Sequence, residues 1–141
     1  ETLPIDYSTK SDHDVILIRF AEVLMNYAEA TNEISGPTPE VYEAVNRVRM
    51  REGVNMPPLP SGLSKEEMRE RIRNERRVEF AFEGMRYRDI KRWKTAEVYI
   101  PTLVEPSSQL NRSFDPNKHY LFPFPQSEID INPELVQNPG Y

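Results

Sequence analysis

Four acidic side chains, Glu75, Glu79, Glu83 and Asp89, recur along one short stretch at near-helical spacing. Two carboxylates held about 5–9 Å apart can hydrolyse a glycosidic bond, one as acid and the other as base or nucleophile. That chemistry needs one carboxyl to stay protonated near neutral pH. Here the acids are interleaved with Arg73, Arg76, Arg77, Arg86, Arg88 and Arg92. A neighbouring guanidinium holds a carboxylate in its ionised form. The pattern therefore predicts ion pairing, not general acid catalysis, and no enzyme.

Other reactive residue types are sparse. The two histidines, His13 and His119, are far apart in sequence and lack metal-ligand spacing such as His-x₃-His. Asp115-Pro116-Asn117 and Asp130-Ile131-Asn132 lack the glycine and terminal glutamate of a calcium loop, so turn chemistry is the better reading. Ser107-Ser108 has no adjacent base to activate a nucleophile. No cofactor and no metal are expected. Tyr87, Trp93, Tyr99 and Tyr120 could stack on sugar rings. Aromatics at helical spacing are more often core, so Tyr87 and Trp93 are read as core, and Tyr99 is left open beside its loop.

The element that must carry the charges is a helix. Ser64-Lys65-Glu66-Glu67 is a capping box, with Ser64 as N-cap and Glu67 reaching back. The helix should run to about Phe82, with Gly84 as an end or kink and a shorter helix over 86–96. Its apolar stripe Met68, Ile72 continues into Glu75, Arg76 and Glu79, where a core face would carry Leu or Val. Buried charges must pair, because an orphan costs several kcal/mol. Arg71 with Glu75, Arg76 with Glu79, and Glu83 with Arg86 are the near-neighbour pairs expected to build a structural ion network.

Two helices precede it. Over 14–33, Ile16, Leu17, Phe20, Ala21, Leu24, Tyr27, Ala28 and Thr31 make one apolar stripe. Ser35-Gly36-Pro37 breaks it. Thr38 and Pro39 start the next helix, whose buried stripe is Val41, Tyr42, Val45 and Val48 with Ala44 beside it, and Gly53 is expected at its C′ position. The short connection predicts an antiparallel, tetratricopeptide-like hairpin over 14–53.

The remainder, 97–141, holds Pro101, Pro106, Pro116, Pro123, Pro125, Pro133 and Pro139, which exclude long regular structure. It also holds Tyr120-Leu121-Phe122-Pro123-Phe124, too aromatic for a disordered tail. An extended tail docked on a helical surface is expected. Such a long irregular segment suggests that it wraps something larger than these helices. The fold class is mainly α: the hairpin, the charged segment over 64–96, and the extended Pro-rich tail.

Composition narrows the partners. The formal charge of −5 disfavours nucleic acid and anionic membrane surfaces. No apolar run approaches the roughly 20 residues that span a bilayer. The absence of cysteine removes disulfides and thiolate sites. The chain starts without Met or a signal-like segment, so processing or excision from a longer chain is expected.

Three blocks in order carry a family resemblance. The first is Ile18-Arg19-Phe20-Ala21-Glu22-Val23-Leu24-Met25-Asn26-Tyr27-Ala28-Glu29-Ala30. The second is Glu75-Arg76-Arg77, Glu79-Phe80-Ala81-Phe82-Glu83-Gly84, Arg86-Tyr87, Asp89-Ile90 and Arg92-Trp93. The third is Tyr120-Leu121-Phe122-Pro123-Phe124-Pro125-Gln126-Ser127-Glu128-Ile129-Asp130 with Asn132-Pro133 and Gln137-Asn138-Pro139-Gly140-Tyr141. Together they resemble the SusD/RagB family from about residue 14 onward.

The resemblance implies the C-terminal part, ending naturally at Tyr141, of a larger SusD-like α-helical fold. It implies an outer-membrane lipoprotein, surface-exposed and tethered by a lipid upstream of these residues. It further implies a SusC-like TonB-dependent transporter as partner, and an oligosaccharide, or in some members a peptide, as ligand. Ligand contacts in that family come mainly from loops outside these motifs, so no ligand-binding residue is assigned. A helical-repeat protein-interaction module without a small-molecule ligand is the alternative.

Overall fold

In the computed structural model, residues 16–102 and 112–141 are described. The first helix, α1, spans Phe20–Ser35, and α2 spans Pro39–Arg49. Gly36 joins them with φ +78°, a left-handed turn that an L side chain adopts only with strain, and its N–H caps the Asn32 carbonyl. The two helices pack together as a hairpin. Met25 and Ala28 of α1 meet a core built from Val41, Ala44, Val45 and Val48 of α2, and the small alanines permit close approach.

Four sequence expectations are corrected here. The α1 helix begins at Phe20, not residue 14, and Ile16 and Leu17 precede it as exposed chain outside any helix. The buried face of α1 is Met25, Ala28 and Asn32, whereas Phe20 and Tyr27 of the expected stripe lie about half exposed. The helix is apolar on two sides, and α2 covers only one of them. Thr38 begins α2 in extended conformation, yet its hydroxyl makes no capping hydrogen bond. The helix ends before Met50, and Gly53 falls in the following turn.

The loop after α2 is held by side chains. Asn46 Oδ1 accepts from the Leu59 N–H at 2.8 Å, and Tyr42 Oη accepts from the Leu63 N–H at 3.0 Å. Leu59 is thereby pinned into the core. Helix α3, Lys65–Glu79, opens on the expected capping box: Glu67 accepts from the Ser64 N–H, and Ser64 Oγ accepts from the Glu67 N–H. Met68 and Ile72 complete the apolar core of this part.

The helix stops at Glu79, three residues short of the expected end. A turn through Phe82 (φ +65°) and Gly84 (φ +75°) leads into α4, Met85–Arg92. Thr95 opens the short helix α5, Ala96–Tyr99, and a single 3-10 turn follows over Ile100–Thr102. The one helix expected over 86–96 is thus two, divided at Trp93–Thr95. Phe80, Ile90 and Ala96 are the buried apolar side chains here.

Among its described residues the tail carries a helix that its prolines conceal, α6, Gln126–Ile131, which starts directly after Pro125. No strand occurs among the described residues. The tail instead folds back on itself through side-chain amides. Gln137 accepts from the Phe124 N–H at 2.9 Å and donates to the Phe124 carbonyl at 3.0 Å, imitating a strand partner. Asn138 donates to the Phe122 carbonyl, and the Tyr141 hydroxyl donates to the Leu121 carbonyl. By packing, the chain divides into two units, 1–75 and 76–141.

Candidate functional site

The charged segment is where sequence and structure meet most closely. Glu75 and Arg76 lie on the inward side of α3 and are 8% and 2% exposed. Within the first unit, Glu75 forms an ion pair with Arg49 of α2. Within the second, Arg76 holds Asp89 of α4 through two hydrogen bonds, Nε to Oδ2 at 2.9 Å and Nη2 to Oδ1 at 3.1 Å. Arg92, one turn along α4, adds a 2.9 Å bond to the same Oδ1. Asp89 is therefore chelated by two guanidiniums while its side chain is 4% exposed. An Arg–carboxylate fork is the geometry that best offsets the desolvation of both charges.

The other expected members are placed as follows. Glu79 is half-buried near the end of α3, and Glu83 is exposed in the turn before Gly84. Arg71 is exposed and lines a surface cleft of about 560 Å³ with Glu66, Glu67 and Glu70. The Arg86 guanidinium lies over the rings of Tyr99, at 4.8 Å, and Trp93, at 6.0 Å. Two partners escaped the sequence reading of the network. Arg49 gives no local signal, because its bond to Glu75 joins residues 26 apart. Asp89 left a trace in its i,i+3 spacing to Arg92 and was counted among the acids interleaved with arginine, but no partner was named for it.

At the surface of the first unit, Arg69 grips Glu33 with two 2.6 Å bonds. That hydrogen bond, above all, holds the Glu33 carboxyl below its ordinary pKa. Glu67 is lowered as well, first by the Ser64 N–H that it accepts.

Tyr87 is not core: it is 45% exposed and meets Phe122 edge-on at 6.4 Å. Beside them the Lys91 ammonium is buried without a hydrogen-bond partner, 3.7 Å from the Phe122 ring centre and 5.3 Å from that of Tyr87. Burial, followed by the charge of Lys94, pushes the Lys91 pKa down. Tyr87, Phe114, Phe122 and Tyr141 wall a cavity of about 350 Å³, with Arg112 and His119 as its polar edge. Ring faces with a few polar groups at the rim suit a sugar or another flat, partly apolar group. Trp93 is half-buried, and Tyr99 is exposed.

Turn hydrogen bonds form at Asp115 and Asn132, whereas Asp130 Oδ1 accepts from Gln126 Nε2 at 2.8 Å within α6. Asp115 Oδ1 accepts from the Asn117 N–H, and the Asp115 N–H donates to His119 Nδ1. Asn132 Oδ1 accepts from the Glu134 N–H. No cluster of metal-ligating side chains occurs among the described residues. His13, Ser107 and Ser108 lie outside them. No described helix is long and apolar enough to cross a membrane.

Comparison with known proteins agrees across the chain. The model of the SusD family matches residues 5–141. The chain is 42% identical to SusD-like protein P2 of Formosa agariphila over 94% of its own length and 27% of the relative's. It is 31% identical to SusD-like protein P25 of the same organism, over 99% and 27%. Among solved structures, a SusD homolog from Bacteroides thetaiotaomicron superposes with a TM-score of 0.73 at 36% identity, covering 89% of this chain and 26% of that one. A SusD-like carbohydrate binding protein from Bacteroides fragilis superposes with a TM-score of 0.68 at 35% identity, covering 85% and 28%. The chain thus spans about a quarter of the length of the relatives it matches.

Proposed function

Because the chain belongs to the SusD family, we propose that it is the C-terminal scaffold of a cell-surface protein that binds oligosaccharide and delivers it to a SusC-like TonB-dependent transporter. The observation that carries this reading is the family match over residues 5–141, joined by a relative of 35% identity named as a carbohydrate binding protein. In the same reading the intact protein sits at the outer membrane, held by a lipid anchor outside these residues.

The chemistry of the charged segment supports a scaffold role. Glu75 is committed to an ion pair with Arg49, and Asp89 to ion pairs with Arg76 and Arg92. We assign Arg71, Glu75, Arg76, Glu79, Glu83 and Arg86 to a structural network on this segment, and no catalytic role to any of them.

Native affinity electrophoresis of the full-length polypeptide tests the ligand class, in gels cast with individual neutral and acidic polysaccharides. Retardation in at least one gel, reversed by the matching soluble oligosaccharide, is expected. Equal mobility in every gel, together with saturable binding of peptides, would replace the glycan by a peptide ligand. The alternative reading, a protein-interaction module, is favoured by one feature only, the open apolar face of α1.

A further inference from the structure

Three aromatic rings of the second unit stand partly in water at one place. Tyr87, Phe122 and Tyr141 are 45, 65 and 44% exposed and wall the cavity of about 350 Å³. Apolar surface gathered in this way marks a binding site more often than a scattered exposed ring does. The rings are also held in position. Asn138 donates to the Phe122 carbonyl, and the Tyr141 hydroxyl donates to the Leu121 carbonyl at 3.2 Å. The Lys91 ammonium lies 3.7 Å from the Phe122 ring centre, and the Lys118 ammonium lies 4.4 Å from the Tyr141 ring centre. Gly140, at φ +86°, lets the chain pass so close to Lys118 that a Cβ there would meet the lysine Cβ at 3.0 Å. Rings fixed before a ligand arrives lose little entropy when it binds.

The rings do not spend their faces on one another. Tyr87 meets Phe122 edge-on, with planes at 61°, and Phe114 meets His119 in the same manner at 65°. What these neighbours leave uncovered borders the cavity. His119, also in the wall, adds a directed polar group. Its Nδ1 accepts from the Asp115 N–H at 2.8 Å, so in the neutral ring the proton sits on Nε2. That second N–H has no acceptor among the described residues.

We propose that this cavity is a carbohydrate subsite in the tail, taking one pyranose ring with its C–H face against Phe122 and Tyr141 and a hydroxyl accepting from His119 Nε2. The face of an aromatic ring is electron-rich and attracts the weakly positive C–H bonds of a sugar. The hydroxyls around the sugar's edge meet the polar rim, where a wholly apolar ligand would leave the imidazole N–H unpaired. The volume lies at the low end for small-molecule pockets, which suits one residue of a longer glycan. The inference rests on the oligosaccharide reading and adds to it a place and the residues that hold the sugar.

Hydroxyl-radical footprinting of the full-length polypeptide, read by mass spectrometry, reports each ring separately. The probes are methyl hexopyranosides and the disaccharides cellobiose, mannobiose and galactobiose, with half-buried Trp93, outside the cavity wall, as internal control. Oxidation at Tyr87, Phe122 and Tyr141 should fall by about three-fold or more with at least one probe, while that of Trp93 stays unchanged. Phe122→Leu keeps an apolar side chain but removes the ring. It should weaken binding of that probe by about five-fold or more and release Tyr87 and Tyr141 from protection. Protection confined to residues outside 76–141 would overturn the proposal and leave the oligosaccharide reading standing. Rings already unreactive without sugar would show the cavity filled by the polypeptide itself, and would overturn it as well. Protection nowhere would overturn it too, and the affinity gels then decide separately whether the oligosaccharide reading falls with it.

Discussion

Arg76 and Asp89 form a two-point ion pair across 13 residues, with side chains 2% and 4% exposed, and it ties the end of α3 to α4. Its neighbour Glu75 pairs with Arg49 of α2. Consecutive residues of opposite charge thus each hold a partner within their own unit. The arrangement uses charges where leucines would also bury well, which gives direction and register to the contact in a way that apolar side chains do not.

Asp89→Ala removes both hydrogen bonds by which Asp89 holds the buried Arg76. Unfolding in denaturant should show a loss of about 3–5 kcal/mol, the range for a broken buried pair. The double change Arg76→Met with Asp89→Leu should recover most of it, since matched apolar replacement removes both desolvation costs. Losses below about 1 kcal/mol for the single change would mean the pair behaves as a solvated one.

Acid should weaken the first unit through Glu33. Its carboxyl is held low in the folded state by Arg69, so the bonds contribute fully above the ordinary carboxylate pKa and are lost as pH falls through the lowered one. Because Glu33 is 41% exposed, the pair is worth no more than about 1 kcal/mol. Glu33→Gln should flatten that part of the stability profile below about pH 4, and leave the profile near neutrality almost unchanged.

Lys91 should act in the opposite pH range. Its folded pKa is lowered, so below that value both states carry the charge and the burial cost is present in full. Stability rises as pH climbs from the lowered value toward that of the unfolded chain. Lys91→Met should abolish this alkaline rise. At neutral pH the same change should alter stability by less than about 1 kcal/mol, because the lost attraction to Phe122 and Tyr87 offsets the removed desolvation.

The tail clamp is testable by hydrogen exchange. Gln137→Glu keeps an acceptor for the Phe124 N–H but deletes the donor to the Phe124 carbonyl. Exchange across Leu121–Phe124 should accelerate while α4 keeps its protection, since the bonds affected belong to the tail alone. Unchanged exchange there would show that the amide does not hold the tail.

The helical elements were legible because their signals are local: a capping box at Ser64 and Glu67, Pro39 at a first turn, and a Val41–Val48 stripe with one buried face. The α1 face was misjudged for a physical reason. Periodicity ranks apolar residues by angle, and a helix apolar on two sides gives no sign of which side its neighbour takes. Tyr87 was misread for another reason: aromatics at helical spacing are usually core, yet this ring is 45% exposed and meets Phe122 edge-on. The charge placement at Glu75 and Arg76 was visible in the interrupted stripe, but the pairings of Glu75 with Arg49 and of Arg76 with Asp89 were beyond near-neighbour rules, because both are fixed by tertiary packing. The helix α6 was hidden by flanking prolines, although Pro125 sits where a helix start tolerates it.

The central claim is that these residues belong to a surface protein working with a transporter. Mild-detergent purification of the full-length polypeptide from its own outer membrane, with mass spectrometry of what accompanies it, addresses that most directly. A large TonB-dependent barrel in near-stoichiometric amount is the result this account predicts. Recovery of the protein from the outer membrane without a barrel, or its recovery from the cytosol, would contradict it.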